Sequence, residues 1–198
     1  MKYPVEESMP VALVEYYPDW HILLIETGHK SAAGEEFASD IIVHYDKDED
    51  DEPSFVVAIH IDSAELLLRP FADKVLAKYG VWREPESDRE REARLKRKAA
   101  LEATAKYPLW KSPPPARVEY NPERDSLFID SGRAGVVSHE MAENIIVHYD
   151  KDRPDERCSA VAIRIDGAER MLKPFVDAIL KKHGVERKEE AAGTRAQD

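Results

Sequence analysis

The chain repeats itself, and that constrains its fold more than anything else in it. Val14-Glu15-Tyr16 recurs as Val118-Glu119-Tyr120, 104 positions along, and the same offset runs without a gap to Gly80-Val81 and Gly184-Val185. Ile41-Ile42-Val43-His44-Tyr45-Asp46-Lys47-Asp48 returns intact as Ile145-Ile146-Val147-His148-Tyr149-Asp150-Lys151-Asp152. About half of the aligned positions are identical over roughly 70 residues, the length of one small module. Any fold for one copy must therefore serve the other. The sequence divides into a first module at 11–82, a linker at 83–116, a second module at 117–185 and a tail at 186–198, which its composition marks as disordered.

Each copy reads as four strands followed by a helix. A first strand near Leu13–Tyr16 meets turn chemistry at Tyr17-Pro18-Asp19, matched by Asn121-Pro122-Glu123. A second strand covers His21–Glu26, or Asp125–Asp130, and the next ten residues read as polar and irregular. Third and fourth strands cover Ile41–Asp46 and Phe55–Asp62, with counterparts at Ile145–Asp150 and Ser159–Asp166. The acidic segment Lys47–Ser54 joins them as a hairpin loop. Pairing Tyr45 with Val57, Val43 with Ile59 and Ile41 with Ile61 sets β-branched and aromatic residues opposite each other. That face, with Leu23 and Ile25, is the expected core. The opposite face then carries Ile42, His44, Asp46, Ala58 and His60 in the first copy. In the second it carries Ile146, His148, Asp150, Ala162 and Arg164.

Asp62-Ser63-Ala64-Glu65 and Asp166-Gly167-Ala168-Glu169 resemble capping boxes with aspartate as the cap. Pro70 and Pro174 are poor in a helix interior, so a short turn should precede a main helix that starts beside the proline. Leu68, Phe71, Val75, Leu76 and Tyr79 follow at helical spacing, repeated by Leu172, Phe175, Ile179, Leu180 and His183. Gly80 and Gly184 are stop signals. In the linker, Ser87 to about Lys106 has good helix formers and little apolar surface beyond Leu95 and Leu101, which predicts a solvated helix. Lys111-Ser112-Pro113-Pro114-Pro115 is a stiff connector. The expectation is an α+β protein of two tandem β-β-β-β-α modules related by pseudo-twofold symmetry and joined by a charged helical linker.

Charge narrows the function. A formal net charge of −11 repels phosphate backbones and anionic lipid and favours a basic protein or a metal ion. The basic run Arg94-Leu95-Lys96-Arg97-Lys98 sits among glutamates, which favours a bridging helix over a nucleic-acid site. Cys158 is the sole cysteine, so the chain has no internal disulfide. MKYPVEESMP has no apolar signal core, and no apolar run approaches the ~20 residues of a membrane span. A soluble cytoplasmic protein is the expectation.

Tyr120-Asn121-Pro122-Glu123-Arg124-Asp125-Ser126-Leu127-Phe128-Ile129 resembles the opening of the small bacterial DUF2283 (YuzE-like) proteins. Ile145–Asp152 and Val161–Ala168 fit that family's second half. The first copy departs from it, with Trp20 for Arg124 and His21 for Asp125. Neither copy has the glycine that the family often places before its last strand. The resemblance spans both modules and implies a few antiparallel strands with a helix. It implies no activity, because the family's function is unknown. Some members look like small partners encoded beside toxin-like proteins.

His44 and His148 are the leading functional candidates. They occupy equivalent strand positions opposite the small Ala58 and Ala162. Modules paired on that face would bring the two imidazoles together, and with Asp46 and Asp150 they would offer zinc or another transition metal a site. Against a metal, each copy offers one shared histidine, and Arg164 replaces His60 in the second. A cation beside an arginine is repelled. Ile42 and Ile146 suit a packed contact better. The acidic run from Asp46 to Glu52 lacks the glycine and spaced glutamate of a calcium loop. No phosphate loop or nucleophile motif occurs. The sequence thus points to a non-enzymatic protein-binding or regulatory module without a cofactor, with a basic, antitoxin-target-like protein or self-association as its partner. The alternative is a metal-binding protein or metal-dependent enzyme built on the paired histidines.

Overall fold

The computed structural model describes residues 9–31, 33–47, 53–83, 116–132, 137–150 and 160–186. The linker helix, the proline connector, the acidic hairpin tip, Cys158 and the tail lie outside them. The first module forms β1 (Leu13–Tyr17), β2 (Ile22–Glu26), β3 (Ala33–Ala38), β4 (Ile41–Lys47) and β5 (Pro53–Ile61). A single turn α1 (Ala64–Leu67) and the main helix α2 (Arg69–Lys78) follow. The second module repeats this as β6 (Arg117–Asn121), β7 (Ser126–Asp130), β8 (Val137–Ala142), β9 (Ile145–Tyr149), β10 (Ala160–Asp166), α3 (Ala168–Met171) and α4 (Lys173–Lys182). Both sheets are antiparallel, in the orders β1-β2-β5-β4-β3 and β6-β7-β10-β9-β8. Among the described residues no helix is long and apolar enough to cross a membrane.

Two expectations are corrected. Each sheet has five strands, because the segment read as irregular forms β3 and β8 on the edge beside β4 and β9. Most of an edge strand of this kind faces water, so it lacks the alternating pattern of its neighbours. Only its end, Phe37-Ala38 or Met141-Ala142, enters the core. The register also carries a bulge. Val43 faces Ile59 and Ile41 faces Ile61 as expected, but Tyr45 faces Val56 rather than Val57. The extra residue lets Val56 join the core cluster beside Tyr45, and the second copy shifts likewise between Ala160 and Ala162. Leu23, Ile25, Ile41, Val43, Tyr45, Val57, Ile59 and Ile61 are all buried, as are their partners 104 positions on.

The capping boxes are a third correction. The residue before α1 is Ser63 at φ 52°, before α3 it is Gly167 at φ 62°, and neither of these residues caps its helix with a side chain. The N–H groups of Asp62 and Asp166 instead donate to the carbonyls of Asp40 and Asn144, so each aspartate still belongs to the sheet. The β1–β2 and β6–β7 turns supply what a cap would. Ala64 N–H donates to the His21 carbonyl at 2.7 Å, and Ala168 N–H to the Asp125 carbonyl at 2.9 Å. Glu169 N–H also reaches the Asp125 carboxylate at 3.0 Å. Asp125 thus caps from a distance, which His21 reproduces only with its backbone. The helices otherwise behave as read, a short turn preceding a main helix with its proline in the first turn. Leu68, Phe71, Val75, Leu76 and their counterparts are buried, and the chain leaves through Gly80 and Gly184 at positive φ.

The two modules share one core cluster and meet through the faces that bear Tyr45 and Tyr149. Most described contacts of the pair come with a symmetric twin. The Tyr45 hydroxyl accepts from Ala160 N–H at 3.1 Å, and the Tyr149 hydroxyl accepts from Val56 N–H at 3.1 Å. Burial pushes the Tyr45 phenol above its ordinary range, so it stays a neutral partner. Tyr16 stands edge-on to Phe175, Tyr120 edge-on to Phe71, and the two phenylalanines stack at 6.2 Å. Lys182 pairs with Glu65 at 2.6 Å and Lys78 with Glu169. Among the contacts without a described twin are Phe55 on His139, stacked at 4.1 Å, Lys78 over the Tyr120 ring, and the Glu143 N–H that donates to the Pro10 carbonyl.

Candidate functional site

Pairing on one face of each sheet leaves the other face outward. Strand alternation decides its membership. On β4, Ile41, Val43 and Tyr45 are buried while Ile42, His44 and Asp46 are half-buried. Cross-strand partners share a face, so the first outer face has rows Glu15–Leu24–His60–Ile42–Glu36 and Leu13–Glu26–Ala58–His44–Gly34. The second has rows Glu119–Phe128–Arg164–Ile146–Glu140 and Arg117–Asp130–Ala162–His148–Ser138. All the sequence candidates on the strands therefore lie where they were expected, with Asp150 just past β9.

The modules do not pair on this face, which corrects the idea that His44 and His148 approach each other across the pseudo-axis. The apolar faces are the stronger attraction, and they meet instead. His44 and His148 belong to separate sheets, each on the side opposite its buried strand neighbours. Among the described residues no group of three or more His, Cys, Asp or Glu is arranged to hold a metal ion.

Each imidazole has a local frame. His44 Nδ1 lies 3.3 Å from the Ser31 hydroxyl, and His148 Nδ1 lies 2.8 Å from the Ser138 hydroxyl. The two serines are not equivalent. Ser31 corresponds to Gly135, and Ser138 to Gly34. A side chain at Gly34 would start 3.2 Å from His44 Nδ1, so the glycine leaves room for Ser31 to reach the ring. This exchange of serine and glycine went unseen in the sequence, although the alignment of the copies contains it. Phe128 stands edge-on to His148 at 6.0 Å, and His148 Nε2 is buried with no hydrogen-bond partner among the described residues.

Both imidazoles are held toward the neutral form. Burial lowers the His44 pKa below 6.5, neighbouring His60 adds to the effect, and Glu26 opposes it. Burial also lowers that of His148, with Arg164 adding to it. His60 Nε2 lies 3.2 Å from an Asp62 oxygen, and Arg164 Nε lies 3.2 Å from an Asp166 oxygen. Neither nitrogen makes a hydrogen bond there, and the Arg164–Asp166 contact is an ion pair. The faces thus present the His44 and His148 ring edges, aliphatic side chains and carboxylates, with Arg117 and Arg164 added on the second.

A second polar cluster, missed in the sequence, lies at the module junction. The Tyr120 hydroxyl lies 2.9 Å from the Asp125 carboxylate and 2.8 Å from Glu169, which also pairs with Lys78. Tyr16, His21, Glu65 and Lys182 form its counterpart. Burial opposes ionisation of Glu65, but Lys182, Tyr16 and His21 together hold its carboxyl below the usual range. Retention of Tyr, Glu and Lys in both copies was the signal available. Each group has a structural partner here, so the cluster fastens the pair. Comparison with family models, with curated proteins and with solved structures finds no match to this chain, and the site stands on its own geometry.

Proposed function

We propose that this protein is a non-enzymatic binding or regulatory module that engages a basic protein through its outward sheet faces, around His44 and His148. The observation that carries this is the division of labour between faces. One face of each sheet is consumed by the core and by the module pair, and the other keeps Ile42, His44, Ile146 and His148 half-buried at the surface. Apolar area rimmed by carboxylates suits a protein partner. The net charge of −11 favours a cationic one. The same reading takes the chain as a tandem duplicate of a DUF2283-like module working in the cytoplasm as an antitoxin-like partner.

The test is the double substitution His44→Ala with His148→Ala. Module pairing uses the other face, so the thermal melt should stay close to wild type while a co-purifying partner is lost. Stoichiometric zinc, nickel or iron in fresh protein, absent from the double variant, would overturn the reading in favour of a metal site.

A further inference from the structure

The two copies differ in chemical character along the outer side of their first strand. On the outer side of β1 stand Leu13, Glu15 and Tyr17, and Trp20 follows in the turn. Leu13, Tyr17 and Trp20 are 56%, 47% and 77% exposed. At the matching positions the second module carries Arg117, Glu119, Asn121 and Arg124. Ile22 beside Tyr17 likewise becomes Ser126. The second module shows what this edge needs for folding alone, which is polar side chains that blunt an open strand. The first module exposes apolar ones on the same backbone. Folding does not require them, so another demand keeps them exposed.

We infer that the edge strand β1 is a docking site for an extended basic and apolar segment of a partner protein. This rests on the protein-binding reading above and adds the place and chemistry of the contact. β1 ends its sheet, with β2 as its only strand neighbour among the described residues. A segment added along it would set every second side chain on the outer face. Two of those meet Leu13 and Tyr17, and the one between meets Glu15. The pattern that fits is apolar, basic, apolar at alternate positions. Glu26, beside Leu13, adds negative charge, and Asp19 stands in the same turn as Trp20. A second copy of this chain is the poorer occupant, because each copy carries −11.

The probe is a synthetic peptide with phenylalanine, lysine and phenylalanine at alternate positions between threonines, titrated into isotope-labelled full-length protein. A companion peptide replaces lysine with glutamate. Amide shifts should concentrate at 13–26, and the glutamate peptide should bind at least about tenfold more weakly. The triple substitution Leu13→Arg, Tyr17→Asn and Trp20→Arg imports the second module's own residues. It should keep the wild-type melt and weaken lysine-peptide binding at least about tenfold. Unchanged affinity in that variant, or shifts confined elsewhere, overturns the inference. If His44→Ala with His148→Ala abolishes binding while the triple variant binds normally, the inference alone fails and the broader reading stands. Failure of both peptides to bind wild type overturns the inference, while a co-purified partner lost in the histidine variant would still uphold the reading. Dimerisation of wild type that the triple variant loses assigns the edge to a second copy and overturns it as well.

Discussion

A phenol that accepts a backbone N–H across a module boundary does work that phenylalanine cannot. Tyr45→Phe leaves the Ala160 N–H without its acceptor in a buried place, and Tyr149→Phe does the same to Val56. An orphaned buried donor costs about 1–3 kcal/mol, so urea unfolding should find each variant less stable by that amount. Equal stability to wild type would show that another acceptor takes over. The histidines make a second residue-scale case. Both folded pKa values lie below 6.5, so the unfolded chain binds the proton more readily. Their contribution to stability is whole above about 6.5 and falls as pH drops from there through the folded values. Proton NMR should find both imidazoles titrating below 6.5, with the melting temperature falling across that window. A midpoint above 6.5 for either ring would contradict the described burial. Single residues were also where the sequence was most legible. The buried residues named on β2, β4, β5 and α2 followed from alternation and helical spacing. The caps did not, because the β1–β2 turn holds the first turn of α1, and no local pattern reports that distant contact.

At the scale of elements, sequence patterns revealed those that bury a face and hid those that do not. β4, β5 and α2 announce themselves by period. β3 is Ala-Gly-Glu-Glu-Phe-Ala, and its place is set by hydrogen bonding to β4 rather than by a buried side. The bulge at Val57 is invisible for a related reason, since Val56 and Val57 are chemically identical and only the sheet decides which one enters the core. Helix pairing brings its own expectation. Glu65 on α1 pairs with Lys182 on α4, and its carboxyl is held below 4.5 despite burial. A depressed carboxylate stabilises fully above about 4.5 and loses that contribution as pH falls through its folded value. Glu65→Gln should therefore lower stability above 4.5 by the about 0–1 kcal/mol that a partly exposed pair contributes, and converge on wild type once the carboxyl is protonated, which flattens the acid limb. An unaltered acid limb would show that other carboxylates dominate it.

The whole molecule behaves as a dimer whose halves share one chain. Tyr16, Tyr45, Glu65, Phe71 and Lys78 make the reciprocal pair contacts, and each is the same residue 104 positions on. A contact set kept in both copies is self-complementary, as an isologous interface requires. The sequence disclosed the duplication and hence the pseudo-twofold relation, but not the face that pairs. Both faces of the sheet carry apolar residues, and the one that meets the other module was settled by Phe71 and Phe175 at the centre, where neither helix face alone reveals a partner. Removing either ring should therefore loosen both modules together. Phe71→Ala costs about 3–5 kcal/mol on core grounds, and the loss should appear as one cooperative transition for the whole chain. The linker is then dispensable for holding the pair. With a protease site placed between Trp82 and Arg117, the cut fragments should remain together on a sizing column at micromolar concentration. They should come apart only where the intact chain begins to unfold. Fragments that separate at once after cleavage would mean that the covalent tether, and not the reciprocal contacts, keeps the modules together.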